Sequence, residues 1–103
     1  MPKTFVVGDI HGNAIEFKRA LHAAGYQFGD SLIVLGDVID RGPLSREMVD
    51  FLMHLSNCTC LRGNHEAWLL EAAAGDSVNL SLWLGEGGIR CLQSYGVEIR
   101  LSL

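Results

Sequence analysis

Asp9, His11, Asp37, Asp40, Asn64 and His65 are the side chains of this sequence best equipped for chemistry, and they share one local setting. Three short, mainly apolar runs each end in glycine and then a polar group: Phe5-Val6-Val7-Gly8-Asp9, Ile33-Val34-Leu35-Gly36-Asp37 and Cys60-Leu61-Arg62-Gly63-Asn64. A second polar group follows each run: His11, then Asp40-Arg41, then His65-Glu66. Asp9 and Asp37 offer anionic oxygens, His11 and Asn64 neutral donors, and no thiolate stands at any of the three ends. Mixed carboxylate, imidazole and amide donors suit manganese, iron or zinc rather than a structural thiolate centre. Two such ions, about 3.5–4 Å apart, share a carboxylate, and Asp37 in the middle turn is the natural bridge. A metal pair lowers the pKa of a shared water until hydroxide is available near neutral pH. The set reads as a hard-metal site with acid–base equipment around it.

These residues need a scaffold that brings distant turns together. An apolar run of four to six residues bounded by turn residues reads as a buried strand. Between the first two runs, Phe17, Ala20, Leu21 and Ala24 form a helical stripe that Gly25 stops. Between the second and third, Pro43 suits a first helical turn, and Leu44, Met48, Phe51, Leu52 and Leu55 make a second stripe. A third helix is expected from about His65 to Ala74. Strand–helix alternation implies right-handed crossovers and a parallel βαβαβ core, an α/β fold. The carboxyl ends of its strands then lie side by side, where open α/β sheets hold ligands. Gly75-Asp76-Ser77 breaks the pattern. Trp83 to Gly88 reads as a glycine-rich loop, Ile89 to Tyr95 as a short helix, and Val97 to Leu103 as a strand. No strand precedes the glycine-rich loop, so it is a weak candidate for cradling phosphate.

With 103 residues, 49% of them hydrophobic and 19% charged, the chain makes one globular domain. A net charge of −4 argues against a nucleic-acid binder that works by bulk electrostatics. Three cysteines, no secretory segment and no apolar run of bilayer length point to a cytoplasmic protein with reduced thiols and no membrane partner. Cys58 and Cys60 share one face of a strand and read as core filling, as does Cys91.

Gly8-Asp9-Ile10-His11-Gly12, Gly36-Asp37-Val38-Ile39-Asp40-Arg41-Gly42 and Gly63-Asn64-His65-Glu66 resemble the three N-terminal motifs of calcineurin-like metallophosphoesterases. They look most like the serine/threonine phosphoprotein phosphatase branch, including its bacterial and phage members. The resemblance covers residues 3 to 75 and extends less closely over Trp83 to Tyr95. It implies two divalent metal ions, with Asp9 and His11 on the first, Asp37 bridging and Asn64 on the second. His65 is then the general acid for the leaving alkoxide and Asp40 its orienting partner, a pairing that the chemistry alone would also request. Arg41 and Arg62 would hold phosphoryl oxygens, since a planar guanidinium makes bidentate contacts with phosphate. The implied activity is hydrolysis of phosphomonoesters by a metal-activated water, on phosphoserine or phosphothreonine in proteins or on a small phosphoester. Dinucleoside polyphosphate hydrolysis is the near alternative; that branch tends to lack Asp40 and to place Asp where Glu66 stands.

Plainer readings stand beside these. Asp9 or Asp37 could cap the following helix, Asp40 could be a turn residue and Arg41 a surface cation, and Arg62 could simply pair with Glu66. Glu66 reads as structural, and His22 and His54 as ordinary surface residues. The resembled family completes its metal pair with further histidines, yet no histidine follows His65. Residues 1–103 therefore read as a truncated N-terminal part of such a domain, the first half of a metallophosphatase-type α/β sandwich. A non-catalytic half-domain is the third possibility. Half a sandwich leaves a sheet face bare, with Val6, Val34 and Leu35 candidates for exposure and a homo-oligomer or complementing chain the expected consequence.

Overall fold

The computed structural model describes residues 2–98. Its elements are β1 (Thr4–Val7), α1 (Ala14–Ala23), β2 (Ser31–Val34), α2 (Ser45–Met53), β3 (Cys58–Cys60), α3 (Asn64–Ala73), α4 (Ser77–Trp83) and α5 (Ile89–Ser94). The strands form a parallel sheet in the order β1-β2-β3. Thr4 pairs with Ser31, Val7 with Val34, Leu32 with Cys58 and Val34 with Cys60. This is the expected βαβαβ core, and every expected strand and helix up to α3 forms.

Both crossovers step in the same direction along the sheet, so right-handed connections place α1 and α2 on one face. Their meeting is visible in Phe17 and Phe51, whose rings stand edge to face with centroids 6.1 Å apart. Strand period then sorts the side chains. Leu32 and Val34 of β2 point under the helices and are buried with Phe17, Leu21, Met48 and Leu52, while Phe5, Val7 and Cys58 pack at the margin. The alternate set faces the other way, where Val6 is 61% exposed and Thr59 is open. Leu35, just past β2, is 53% exposed. Val34 corrects the expectation: it is fully buried because it shares register with Val7 and Cys60 on the helix-covered face.

Core filling holds for Cys91 and partly for Cys58, and fails for Cys60. The two β3 thiols do share a face, with sulfurs 3.9 Å apart, but Cys60 is exposed. It sits at an apolar cleft of about 410 Å³ bordered by Val49, Leu52, Met53 and Leu55, which α2 does not close.

Beyond α3 the structure departs from the sequence pattern. Ser77 to Trp83 alternates polar and apolar residues, the period of a strand, yet folds as α4. Asp76 decides this by capping: its Oδ1 accepts the Asn79 amide at 3.0 Å. The helix buries only Trp83 fully, leaving Val78 77% exposed. Leu84–Gly88 continues it as a wide helical turn that breaks at Glu86 and Gly87 before α5. The strand expected from Val97 to Leu103 is not formed at Val97 and Glu98, and its remainder lies outside the described residues. Among the described residues no helix is long and apolar enough to cross a membrane.

Met48 is fully buried between α2 and the sheet, whereas Met53 is 77% exposed. Met48→Ala should cost about 2–5 kcal/mol in urea unfolding, and Met53→Ala less than about 0.5 kcal/mol. Asp30 fastens the start of β1 to the turn before β2 by accepting the Lys3 amide at 2.9 Å and the Gln27 amide at 2.8 Å. Those donors hold its carboxyl below its ordinary value of 3.8. A depressed carboxyl contributes stability at neutral pH and loses it as pH falls below that value and through the folded pKa. Asp30→Asn should therefore flatten the acid limb of the stability profile, measured as unfolding midpoint against pH.

Candidate active site

The turns after β1 and β2 are sewn to each other by backbone alone. His11 N–H donates to the Asp37 carbonyl at 2.9 Å, Gly12 N–H to Val38 at 2.8 Å, and Gly42 N–H back to His11 at 2.9 Å. This lattice holds Asp9, His11 and Asp37 so that one donor atom of each lies within 4.8 Å of the others. Ligands on one ion, with bonds of about 2.0–2.2 Å, lie no more than about 4.4 Å apart, so small side-chain rotations suffice to close on a metal. The His11 ring is also set for ligation. Its Nδ1 lies 3.0 Å from the Ile39 carbonyl, which can only accept, so Nδ1 carries the proton and Nε2 keeps its lone pair. Donor set and tautomer both fit a divalent cation.

Backbone strain marks the same place. Asp9, His11, Asp37, Asp40 and Arg41 all have positive φ, between 47° and 76°. Each such residue costs on the order of 1–3 kcal/mol and persists only where its surroundings over-determine it. Among the described residues, no other non-glycine residue has positive φ.

Glu66 supplies much of that constraint. Its Oε1 accepts the amides of Asp37 at 2.7 Å and Gly63 at 2.9 Å, and its Oε2 accepts those of Val38 at 3.0 Å and Ile39 at 3.4 Å. One carboxylate from the first turn of α3 thus grips the turn after β2. Asp37 reciprocates, its Oδ1 accepting the His65 amide at 3.1 Å. Asp37 does cap a helix, but it is α3 rather than the helix that follows it in sequence. Glycine is required where the two turns touch: a Cβ on Gly36, at φ +101°, would collide with the Gly63 backbone nitrogen. Glu66 is structural in this arrangement, and its oxygens are engaged by backbone rather than by Arg62.

His65 and Asp40 meet in the interior. His65 Nδ1 lies 2.7 Å from Asp40 Oδ2, with the side chains 5% and 0% exposed. Trp83 Nε1–H donates to that same oxygen at 2.7 Å. Burial pushes the Asp40 carboxyl above its ordinary value, opposed by the hydrogen bonds from His65 and Trp83. Cys91 lies alongside, its thiol pushed up to about 11 by burial and then by the negative charge of Asp40. The His65 ring also meets His11, at 4.7 Å between centroids, which joins this pair to the Asp9–His11–Asp37 group.

Asn64 opens α3 exposed, between Gly63 and the His65 amide that binds Asp37. Arg41 and Arg62 are exposed at the same sheet edge, and the Arg41 guanidinium lies 3.3 Å from Glu86 Oε2. Trp83, Glu86 and Cys91 were not among the residues expected at the site. The only sequence signal for them was the less close resemblance of 83–95.

A sequence model described as calcineurin-like phosphoesterase matches residues 2–98. The chain belongs to that family. It is 42% identical over 86 residues to serine/threonine-protein phosphatase 2 of Escherichia coli K12, covering 82% of this chain and 38% of the relative. Serine/threonine-protein phosphatase 1 of Salmonella typhimurium LT2 is 41% identical over 85 residues, with the same coverage of 82% and 38%. The symmetrical bis(5'-nucleosyl)-tetraphosphatase of Citrobacter koseri is 38% identical over 78 residues, covering 74% of this chain and 28% of the relative. The chain thus spans well under half the length of these curated relatives.

The Glu66 grip makes a direct prediction. Glu66→Ala strands several amides and should lower stability by more than about 2 kcal/mol in chemical unfolding, since hydrogen bonds to a charged group contribute about 1.5–3 kcal/mol each. Glu66→Gln, which keeps one acceptor oxygen, should fall between the two.

Proposed function

We propose that this calcineurin-like phosphoesterase chain carries the first metal-binding edge and the acid pair of a phosphatase acting on phosphomonoesters, with phosphoserine or phosphothreonine in proteins as the substrate class. The observation that carries the reading is the buried His65–Asp40 pair at 2.7 Å, set beside the Asp9–His11–Asp37 group. Asp9, His11 and Asp37 would hold one divalent ion, with Asp37 and Asn64 turned to a second. When bound, such ions supply Lewis-acid stabilisation of phosphoryl charge and lower the pKa of a water.

The residues of the chain do the rest. As the general acid His65 would be the imidazolium, its Nδ1–H directed at the Asp40 carboxylate and a second proton on Nε2, which passes to the leaving oxygen as the P–O bond breaks and leaves the neutral ring. Arg41 and Arg62 would neutralise charge on the transferring group. An alkoxide from serine or threonine is a poor leaving group and needs that proton; a phosphate released from an anhydride needs it far less. An acid held this firmly therefore favours alkyl phosphomonoesters. Hydrolysis of dinucleoside polyphosphates is the second reading, favoured by the likeness to the Citrobacter koseri tetraphosphatase.

In a version of this domain extended to the length of its relatives, His65→Asn should leave metal binding largely intact and slow release of a phosphoserine peptide by about 10²–10⁴-fold, while slowing a dinitrophenyl phosphate by less than tenfold. Equal slowing of both would remove His65 from the acid role. Metal binding is separately testable. Two donors, one a neutral amide, compete poorly with water for a second ion, so titration of this chain with Mn²⁺ should give one weak site, lost in Asp37→Asn. Two tight ions per chain would show that further ligands have gone unrecognised.

A further inference from the structure

The Asp40 carboxylate is the pivot of the acid pair, yet Asp40 is poorly placed to hold itself. It sits on strained backbone at φ 76°, and its amide is spent on Ser45 Oγ at 2.9 Å. Its Oδ1 has no hydrogen-bond partner among the described residues, so the direction of the carboxylate is set by what reaches Oδ2. Two donors reach it at 2.7 Å: the ring of His65, and the indole of Trp83 from α4. The His65 ring is itself the group that this carboxylate orients, so it is not an independent anchor for it. Trp83 can, because it is 2% exposed and its N–H does not titrate.

The segment around Trp83 is shaped to hold that indole in place. A Cβ on Gly88 would run into the Trp83 ring, and a Cβ on Gly87, at φ +107°, would run into Arg41. Arg41 N–H donates to the Gly87 carbonyl at 3.2 Å. Two glycines thus let 84–88 close between the indole on one side and the backbone following Asp40 on the other. An aromatic needed for packing alone has no use for an N–H, and a buried N–H requires an acceptor.

We propose that Trp83 is a positioning residue: its indole N–H fixes the Asp40 carboxylate so that Oδ2 faces His65 Nδ1, and α4 with its glycine turn is the bracket that holds the acid pair. Its bearing on catalysis rests on the phosphatase reading above; its bearing on the Asp40–His65 geometry does not. With Trp83 present, His65 is held with Nδ1–H toward Asp40 and Nε2 toward the leaving oxygen. Without it the buried carboxylate loses its non-titrating donor, and the ring rests on its own bond to Oδ2 and on its contacts with His11 and Trp68, at 4.7 Å and 4.8 Å between centroids.

The test uses Trp83→Phe, together with the chain in which benzothienylalanine replaces Trp83, an isostere with sulfur in place of N–H. The first measurement is solvent exchange of the His65 Nδ1 proton by NMR on the metal-free chain, assigned by its loss in His65→Asn. Both replacements should speed that exchange by about tenfold or more, the change expected from losing one charge-assisted hydrogen bond. If Trp83→Phe does not fold, the isostere decides, since it keeps the shape of the ring. Exchange as slow as in the parent chain in the folded replacements overturns the proposal and leaves Trp83 a packing residue. The second measurement is turnover of a phosphoserine peptide against a dinitrophenyl phosphate. A fall in kcat of about tenfold for the peptide alone, with KM unchanged, extends the positioning role to catalysis. Faster exchange with both substrates equally affected keeps the positioning and removes the acid role assigned to His65 above.

Discussion

Everything at this sheet edge hangs on a side chain that does no chemistry. Glu66 gathers the amides of Asp37, Val38, Ile39 and Gly63 onto one carboxylate, which welds the turn after β2 to the start of α3. Amides that converge in this way cannot bond one another, and left in a partly buried turn they would each lose about 1–3 kcal/mol. The ionised acceptor solves that problem for the whole turn at once. Asp37 is fixed as a consequence, and through its carbonyl and carboxylate it fixes His11 and His65 in turn.

That rigidity makes the strained backbone tolerable. Five non-glycine residues in the left-handed region would be a large penalty in a loose loop. Here Asp9, His11 and Asp37 are brought within reach of one another, and the hydrogen bonds between turns prevent relaxation. Such a grouping of two carboxylates and an imidazole suits a divalent cation in its donor types.

The sheet has two unlike faces for a topological reason. Same-sense right-handed crossovers put both helices on one side, so the Leu32–Val34 face is closed and the Val6 face is open. Val6 and Leu35 therefore leave apolar surface uncovered among the described residues.

The sequence by itself determined the strands, the first three helices, the parallel order and which polar groups gather at the carboxyl edge of the sheet. Each of these rests on local signals: apolar runs stopped by glycine, helical stripes, and polar groups placed directly after strands. It also marked Glu66 as structural, though not which amides it binds. Only tertiary structure decided that Val34 is covered, because face assignment depends on register across strands rather than on hydrophobicity. At α4 a local cap, Asp76 accepting the Asn79 amide, sets the helix against a strand-like alternation, and burial of Trp83 adds the tertiary part. The meeting of Trp83 with Asp40 spans the chain from the second turn to the fourth helix, and nothing local to either residue encodes it. A hydrogen bond between distant side chains exists only once packing has fixed both ends.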